Sequence, residues 1–447
     1  MFNRVLIANR GEIAVRIIRA CKEMGIESVA VYSTVDGESM HVKIADKKIC
    51  IGPPSPAKSY LDFNNIIGAA QASKCDAIHP GYGFLSENAD FQRTCIDNDI
   101  SFIGPPPDII ELAGNKSEVL KYMEKNGVPT IPGSLGNLKD LRHAKKTAKR
   151  LRYPVILKAS FGGGGKGMRI CKDEKELEDF FPIASSESIS SFGQSSLYME
   201  KYLVRPRHIE FQIIADKEHN ISCVGARECS IQRRHQKLLE EAPPVGINQK
   251  LLAVMKNYAI RAAKALSYEN VGTIEFLLDS NNDFYFIEVN TRIQVEHPVT
   301  EMVTGLDLIK EQISLASGKK NMHLRNDETV NGHSIEFRIN AEDPEEGFKP
   351  SPGMITDYFL PGGPGIRTDT FIHSNYEVLP FYDSLIAKLV VWGRDRDEAI
   401  SRSKRALDEF RISGINTTIP FHKKILQKDN FISGKLHTHF IEEEFGI

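Results

Sequence analysis

The stretch Gly272-Thr-Ile-Glu-Phe-Leu-Leu-Asp-Ser-Asn-Asn-Asp-Phe-Tyr-Phe-Ile-Glu-Val-Asn-Thr-Arg-Ile-Gln-Val-Glu-His297 decides how the chain is read. Two alternating runs of aromatic and branched residues flank the polar cluster Asp279 to Asp283, the pattern of an antiparallel hairpin. Side chains two apart share a face of a strand, so Glu275 is expected to go with Leu277, and Glu288 with Phe286 and Asn290. With Leu278 opposite Tyr285, Glu275 falls opposite Glu288 and both carboxylates leave the same face; a slip of one residue would part them. Two bare carboxylates at cross-strand range repel each other, so the pair asks for a cation. With the Asn290 oxygen the set is all oxygen and suits Mg²⁺, which takes one or two carboxylates and leaves its other positions to water and phosphate. Ordinary surface acids on a hairpin edge are the plain alternative. Arg292, Gln294, Glu296 and His297, following at once, weigh against it.

The chain around this hairpin has 447 residues, too many for one ordinary core, and roughly two to four lobes are expected. Charged residues make up 26% and no apolar run reaches the length of a membrane span, so a cytoplasmic, non-membrane protein is expected. The start, Met1 to Arg4 and then Val5-Leu-Ile-Ala8, has the wrong flanks for a signal peptide and reads as a first strand. A net charge of −2 gives no global field toward nucleic acid, so any anion site must be local. The seven cysteines are scattered without CxxC spacing, which argues against zinc and a disulfide framework and for reduced thiols. Cys229 lies in a polar run, where packing is still its commoner role.

Residues 1 to about 110 alternate strand and helix: Val5–Ala8, then a helix over Gly11–Met24 with Ile13, Ile17 and Cys21 on one face, then Val29–Tyr32. Further strands near Ile49–Ile51, Ala77–Ile78 and Ser101–Ile103 make a doubly wound parallel sheet. The first strand-to-helix turn, Asn9-Arg10-Gly11-Glu12, lacks the glycines of a dinucleotide fingerprint. His79-Pro-Gly-Tyr-Gly-Phe-Leu-Ser-Glu-Asn88 follows a strand at the sheet's carboxyl edge, where ligands bind; a tight turn made by Pro80, Gly81 and Gly83 explains it equally well. Later come strands His208–Ala215, Ile221–Ala226 and Ile335–Asn340, the basic run Arg233 to Lys237, and helices over Leu251–Leu266 and Arg396–Phe410.

The segment Lys158-Ala-Ser-Phe-Gly-Gly-Gly-Gly-Lys-Gly-Met168 offers three phosphate-binding readings. It is no Walker A loop, because Gly167 follows Lys166. Gly162, Gly164 and Gly167 satisfy GxGxxG after the strand Pro154–Lys158, but Met168–Cys171 has the character of a second strand, not of a helix. A glycine-rich hairpin tip, with backbone N–H groups free to approach phosphate, fits better than a plain flexible loop.

These motifs together resemble an ATP-grasp enzyme: Lys116, Lys158 with Gly162 to Gly167, Met199-Glu-Lys-Tyr-Leu203, Glu275, Glu288-Val-Asn290 and Arg292. Arg10-Gly-Glu-Ile13, His79 to Phe84, Gln232 to Lys237, Arg292 to His297 and Arg338-Ile-Asn-Ala-Glu-Asp343 narrow the resemblance to the biotin carboxylase family, from end to end of the chain. The implied fold is α/β and α+β: an N-terminal doubly wound domain over 1–110, an ATP-grasp region over 111–330 with a mobile lid about 131–203, and a C-terminal mixed β/α domain over 331–447.

The resemblance implies a two-step reaction, in which ATP phosphorylates bicarbonate to carboxyphosphate and the carbon passes to the ureido nitrogen of biotin. Mg²⁺ (or Mn²⁺) would sit on Glu275, Glu288 and Asn290. ATP would meet Lys116, Lys158, Gly163, Gly164, Gly165, Met168, the hinge Glu200, Lys201 and Leu203, then His208, Gln232, His235 and Leu277. Bicarbonate would lie among Lys237, Arg292, Gln294, the Val295 backbone and Glu296. Glu296 is the candidate base, kept ionised by cationic neighbours. Arg338 would face the enolate-like oxygen of biotin, beside Tyr82 and Gly83. Biotin would arrive on a separate carboxyl carrier protein, because no Ala-Met-Lys-Met attachment site is present, and separate carboxyltransferase subunits would use it, most plainly in acetyl-CoA carboxylase for fatty acid synthesis. A homodimer is usual among relatives. Two rivals remain: an ATP-grasp ligase with an amine acceptor, and a non-catalytic nucleotide-binding module. ADP release that depends on biotin and bicarbonate separates all three.

Overall fold

The computed structural model describes residues 1–134, 136–159, 168–192, 197–323 and 330–447. Strands β1 (Arg4–Ile7), β2 (Glu27–Tyr32), β3 (Lys47–Cys50), β4 (Ala77–His79) and β5 (Ser101–Phe102) pair in parallel in the order 3-2-1-4-5. Such strands bury both faces, and β1 does so with Val5, Leu6 and Ile7. Val5 and Ile7 pack with Ile13 and Ile17 of the helix Gly11–Glu23, while Leu6 joins Ile78 and Phe91 on the other side. Strand order reverses at β1, so a crevice opens at the carboxyl ends of β1 and β4. There the Asn9 amide donates to the carbonyls of Pro80 and Tyr82, both at 2.7 Å. Gly81 has φ +65°, and a Cβ on it would come within 2.9 Å of Asn9 Nδ2. Glycine is what allows the turn to close on Asn9.

A small antiparallel sheet follows, β6 (Val155–Ala159), β7 (Arg169–Cys171) and β8 (Leu197–Lys201) in the order 7-6-8. Helices Leu141–Leu151 and Glu174–Phe192 close it, with Ala144, Leu177, Val155, Leu157 and Met199 in its core. The pairing of β6 with β7 makes a hairpin, not a strand-to-helix fingerprint; its tip lies outside the described residues.

The largest sheet is antiparallel. It contains β9 (Arg207–Ala215), β10 (Ile221–Arg233), β11 (Gln236–Ala242), β12 (Asn270–Leu278), β13 (Phe284–Asn290) and β14 (His333–Asn340) in the order 13-12-9-10-11-14, continued by strands Leu385–Gly393 and Ile366–Thr370. One face of β9, β12 and β13 sends Ile209, Phe211, Ile274, Phe276, Phe286 and Val289 into a core with Met255 and Ala259 of the helix Gln249–Ala265. The alternate positions His208, Glu210, Gln212, Thr273 and Glu275 carry the other face, and all are buried.

Glu288 does stand opposite Glu275, but the register beyond them differs from the expectation. Leu277 faces Tyr285 and Leu278 faces Phe284, because Ile287 is an extra, unpaired residue. This bulge re-aims the strand, so Phe286 and Val289, three apart, both enter the apolar core. Glu288 therefore does not share a face with Phe286. The basic run Arg233 to Lys237 is a tight turn between β10 and β11, with Arg234 and His235 both in the left-handed region at φ 48° and 66°. Among the described residues no cysteine is joined in a disulfide, and no helix is long and apolar enough to cross a membrane.

Candidate active site

Glu288, Glu275, Glu210 and Arg227 stand abreast on four neighbouring strands. This charged row borders a cavity of about 620 Å³ whose walls include Tyr82, Gly83, His235, Lys237, Glu275, Glu288, Asn290, Arg292, Gln294, Val295 and Arg338. The fold thus gathers residues from β4's following turn, the β10–β11 hairpin, the β12–β13 hairpin and β14 around one space.

Lys237 is the hub. Its ammonium lies 2.6 Å from Glu296 Oε1, 2.7 Å from Glu210 Oε2 and 3.3 Å from Glu275 Oε1. Arg338 donates to Glu240 Oε1 at 2.6 Å and to Glu296 Oε2 at 2.9 Å. Glu296 is fully buried behind these two cations. Burial alone would raise its pKa, but Lys237, with Arg338 and Arg227, outweighs that and lowers it. The expected base is therefore ionised. Glu240 shows the opposite balance: burial, with the Glu296 charge, pushes it up to about 7 despite Arg338. Arg292 is aimed by Glu87 Oε2 at 2.9 Å and Gln294 Oε1 at 2.9 Å, and Gln294 donates on to Glu275 at 3.0 Å. Cys229 packs beneath Glu296, 3.9 Å from Oε1, its thiol held neutral by burial and surrounding carboxylates.

The two facing carboxyls have been driven apart in acidity. Burial, together with the Glu288 charge, raises Glu275, against Lys237 and His208. Burial opposes ionisation of Glu288 too, but Lys116, 3.0 Å away, holds it down at about 2. Glu275 is met by Lys237, by Gln294 and by His208 Nε2 at 2.5 Å, and Glu288 by Lys116. Such a donor set fits a hard divalent cation. The Asn290 amide departs from expectation in one respect: its nitrogen points at Glu275 (2.7 Å) and its oxygen at Arg292 (3.3 Å). Service as an oxygen ligand requires the amide to turn over.

The nucleotide residues fall into two places. Lys116, His208, Leu277 and His235 border the charged row, with His208 and Leu277 opposite each other on β9 and β12. Gln232 is buried on β10 and donates to the Cys229 carbonyl at 3.3 Å. Lys158 and Glu200 lie on β6 and β8 of the small sheet and form an ion pair with each other. The charge of Lys158 reaches both Lys116 and His235, so the small sheet faces the same space. The Lys201 backbone N–H is used by the Pro132 carbonyl at 2.8 Å. Leu203 and Met168 are half-buried. Gly163, Gly164 and Gly165 lie outside the described residues.

Four carboxylates of this site were not singled out from sequence: Glu87, Glu210, Glu240 and Glu12. Glu210 was within reach, because His208, Glu210 and Gln212 alternate through an otherwise apolar strand. Glu87 lies within the quoted run after His79. Glu12 lies within the quoted motif Arg10-Gly-Glu-Ile13, although no role was attached to it, and Glu240 carries no local signal.

Comparison with known proteins agrees with this geometry. The families described as "Biotin carboxylase, N-terminal domain", "Carbamoyl-phosphate synthase L chain, ATP binding domain" and "Biotin carboxylase C-terminal domain" match residues 1–110, 115–324 and 336–443. A biotin carboxylase of Nostoc sp. is 53% identical over 443 residues, covering 99% of both chains. One of the pyruvate carboxylase subunits of Methanothermobacter thermautotrophicus is 52% identical over 99% of this chain and 90% of its own length. Among solved structures, the biotin carboxylase domain dimer of Hydrogenobacter thermophilus 2-oxoglutarate carboxylase, in complex with MgADP, ADP and bicarbonate, superposes with a TM-score of 0.95 at 48% identity, covering 99% of this chain and 98% of that one. With its hub lysine, buried acid and facing carboxylates all on one side of the large sheet, this chain belongs to the biotin carboxylase family of ATP-dependent ligases.

Proposed function

We propose that this chain uses ATP to activate bicarbonate as carboxyphosphate and carboxylates biotin borne on a carrier protein. The observation that carries this reading is the cluster Lys237–Glu296–Arg338, with Arg292 beside it, set against the Glu275–Glu288 pair. A bicarbonate oxygen attacks the γ-phosphorus while the bond to ADP breaks. Bicarbonate is a poor nucleophile, so the gain must come from position and charge. Arg292 offers planar paired donors to the anion, aimed by Glu87 and Gln294. Glu296, ionised between two cations, accepts the bicarbonate proton. In the second step the C–O bond of carboxyphosphate breaks, the phosphate released takes the proton from biotin's ureido nitrogen, and the C–N bond forms. Arg338 stabilises the oxygen of the deprotonated ureido group, as an oxyanion donor does. Tyr82 and Gly83 wall that end of the cavity. Glu275, Glu288 and, once turned, Asn290 would hold Mg²⁺ or Mn²⁺. The ion would supply positive charge at the phosphates that Lys116 and Lys237 now direct to these carboxylates.

Residues 1–110, 111–330 and 331–447 are proposed as the three domains, with 131–203 closing over the nucleotide as a lid; the separate sheet β7-β6-β8 supports the latter. A homodimer is supported by the dimeric relative. Carrier and carboxyltransferase are proposed as separate partners. The final acceptor is proposed to be acetyl-CoA, as the family resemblance of the motifs implies. The comparable likeness to subunits named for pyruvate and 2-oxoglutarate, at 52% and 48% identity, supports a keto-acid acceptor as the second reading. ADP release by the purified chain, measured with and without bicarbonate and free biotin, tests the core of the proposal. Release that ignores both would reject it. Pairing the chain with carboxyltransferases for each acceptor tests the last step.

A further inference from the structure

Lys388 is fully buried in the strand Leu385–Gly393, between Arg338 on β14 and Asp369 on the outer strand. Its ammonium contacts two segments remote in sequence. It lies 3.0 Å from Glu12 Oε1, at the first turn of the helix Gly11–Glu23, and donates to the Val295 carbonyl at 2.8 Å. The same Glu12 oxygen accepts a hydrogen bond from the Tyr82 hydroxyl. Glu12 is itself buried, and its other oxygen finds no partner among the described residues. The result is one continuous chain of polar contacts, Tyr82 to Glu12 to Lys388 to Val295. It joins a wall of the biotin end of the cavity to the peptide beside Glu296.

A buried ion pair of this kind is seldom kept for stability, because an apolar pair of the same volume serves at least as well. Both ends of this one terminate on walls of the site. We propose that Glu12 and Lys388 are positioning residues for the carboxylation, coupling occupation of the biotin end at Tyr82 to the orientation of the bicarbonate-binding segment at Val295. This rests on the function proposed above. When biotin settles against Tyr82, the hydroxyl fixes Glu12, Glu12 fixes the lysine, and the lysine fixes the carbonyl of Val295, so the anion-binding peptide is set when the acceptor is present.

The test measures ADP formation by the full chain with bicarbonate, biotin and ATP each varied in turn. The variants are Tyr82→Phe, Lys388→Met and the two combined. Tyr82→Phe and Lys388→Met are each expected to raise KM for bicarbonate about 10-fold, with KM for ATP within about 2-fold of wild type. Combined, they should be no worse than Lys388→Met alone, since both cut one chain. Should Lys388→Met not fold, Tyr82→Phe decides, because it removes only a hydroxyl. A Tyr82→Phe enzyme whose biotin KM rises while its bicarbonate KM stays at the wild-type value would overturn the coupling. So would effects of the two substitutions that simply multiply. A wild-type chain without biotin- and bicarbonate-dependent turnover would instead overturn the function beneath, and is seen before any variant is made.

Discussion

In the parallel sheet, β1 buries Val5, Leu6 and Ile7 with nothing charged among them; in the antiparallel sheet, β9, β10 and β11 bury Glu210, Arg227 and Glu240 just as deeply. The first arrangement is what area burial favours. The second costs desolvation at each charge and survives because each has a partner. Arg227, for instance, donates to Glu210, to Gln212 at 2.7 Å and to Thr300 at 2.9 Å. The difference teaches where function lies. Apolar strands and the apolar back of the large sheet hold the molecule together, and that stability tolerates a face ordered for chemistry.

The contrast can be broken from the charged side first. Glu288→Gln is expected to lower kcat about 10³-fold and to weaken the magnesium dependence of ADP release, while thermal unfolding stays near wild type. Unchanged turnover across a magnesium titration would remove the facing carboxylates from the mechanism. Arg338→Gln comes next, with biotin-dependent turnover down about 10²–10³-fold and nucleotide affinity retained, as read by steady-state rates and nucleotide titration.

Acid sharpens the comparison. Burial would raise Glu241, yet His333 and Arg396 hold it down at about 2, from an ordinary 4.5. A carboxyl lowered by folding contributes stability that is complete above the ordinary value and is lost as pH falls toward about 2, here on the order of 3 kcal/mol. Denaturant unfolding from pH 6 downward should show this loss, and Glu241→Gln should flatten it. The smallest effect belongs to the apolar sheet: Ile7→Val is expected to cost about 0.5–1.5 kcal/mol, independent of pH, with kcat and KM unmoved.

Much of this was legible from sequence where periodicity carried it. The parallel sheet followed from short apolar strands alternating with helices, and the Glu275–Glu288 pair from two-residue alternation. The register did not follow, because Ile287 is one more apolar residue and nothing local marks it as unpaired. The turn at Arg234 and His235 escaped as well, since turn chemistry favours Asn and Gly where both residues take positive φ. Lys388 sits inside Leu385 to Trp392 like a stray charge in a buried strand, and the partners contributed by Glu12 and Val295, remote in sequence, give it meaning. The family resemblance supplied roles for Glu296 and Arg338. It gave no role to Glu12, although Glu12 lies in the motif Arg10-Gly-Glu-Ile13, and it did not touch Glu240, whose contact is with Arg338.

The most direct measurement follows oxygen. With bicarbonate labelled by ¹⁸O, attack of its oxygen on the γ-phosphorus, followed by C–O cleavage of carboxyphosphate, leaves one labelled oxygen in each inorganic phosphate formed with biotin. The account predicts that label in phosphate, in proportion to carboxybiotin. Unlabelled phosphate from a chain that turns over ATP and biotin would contradict it.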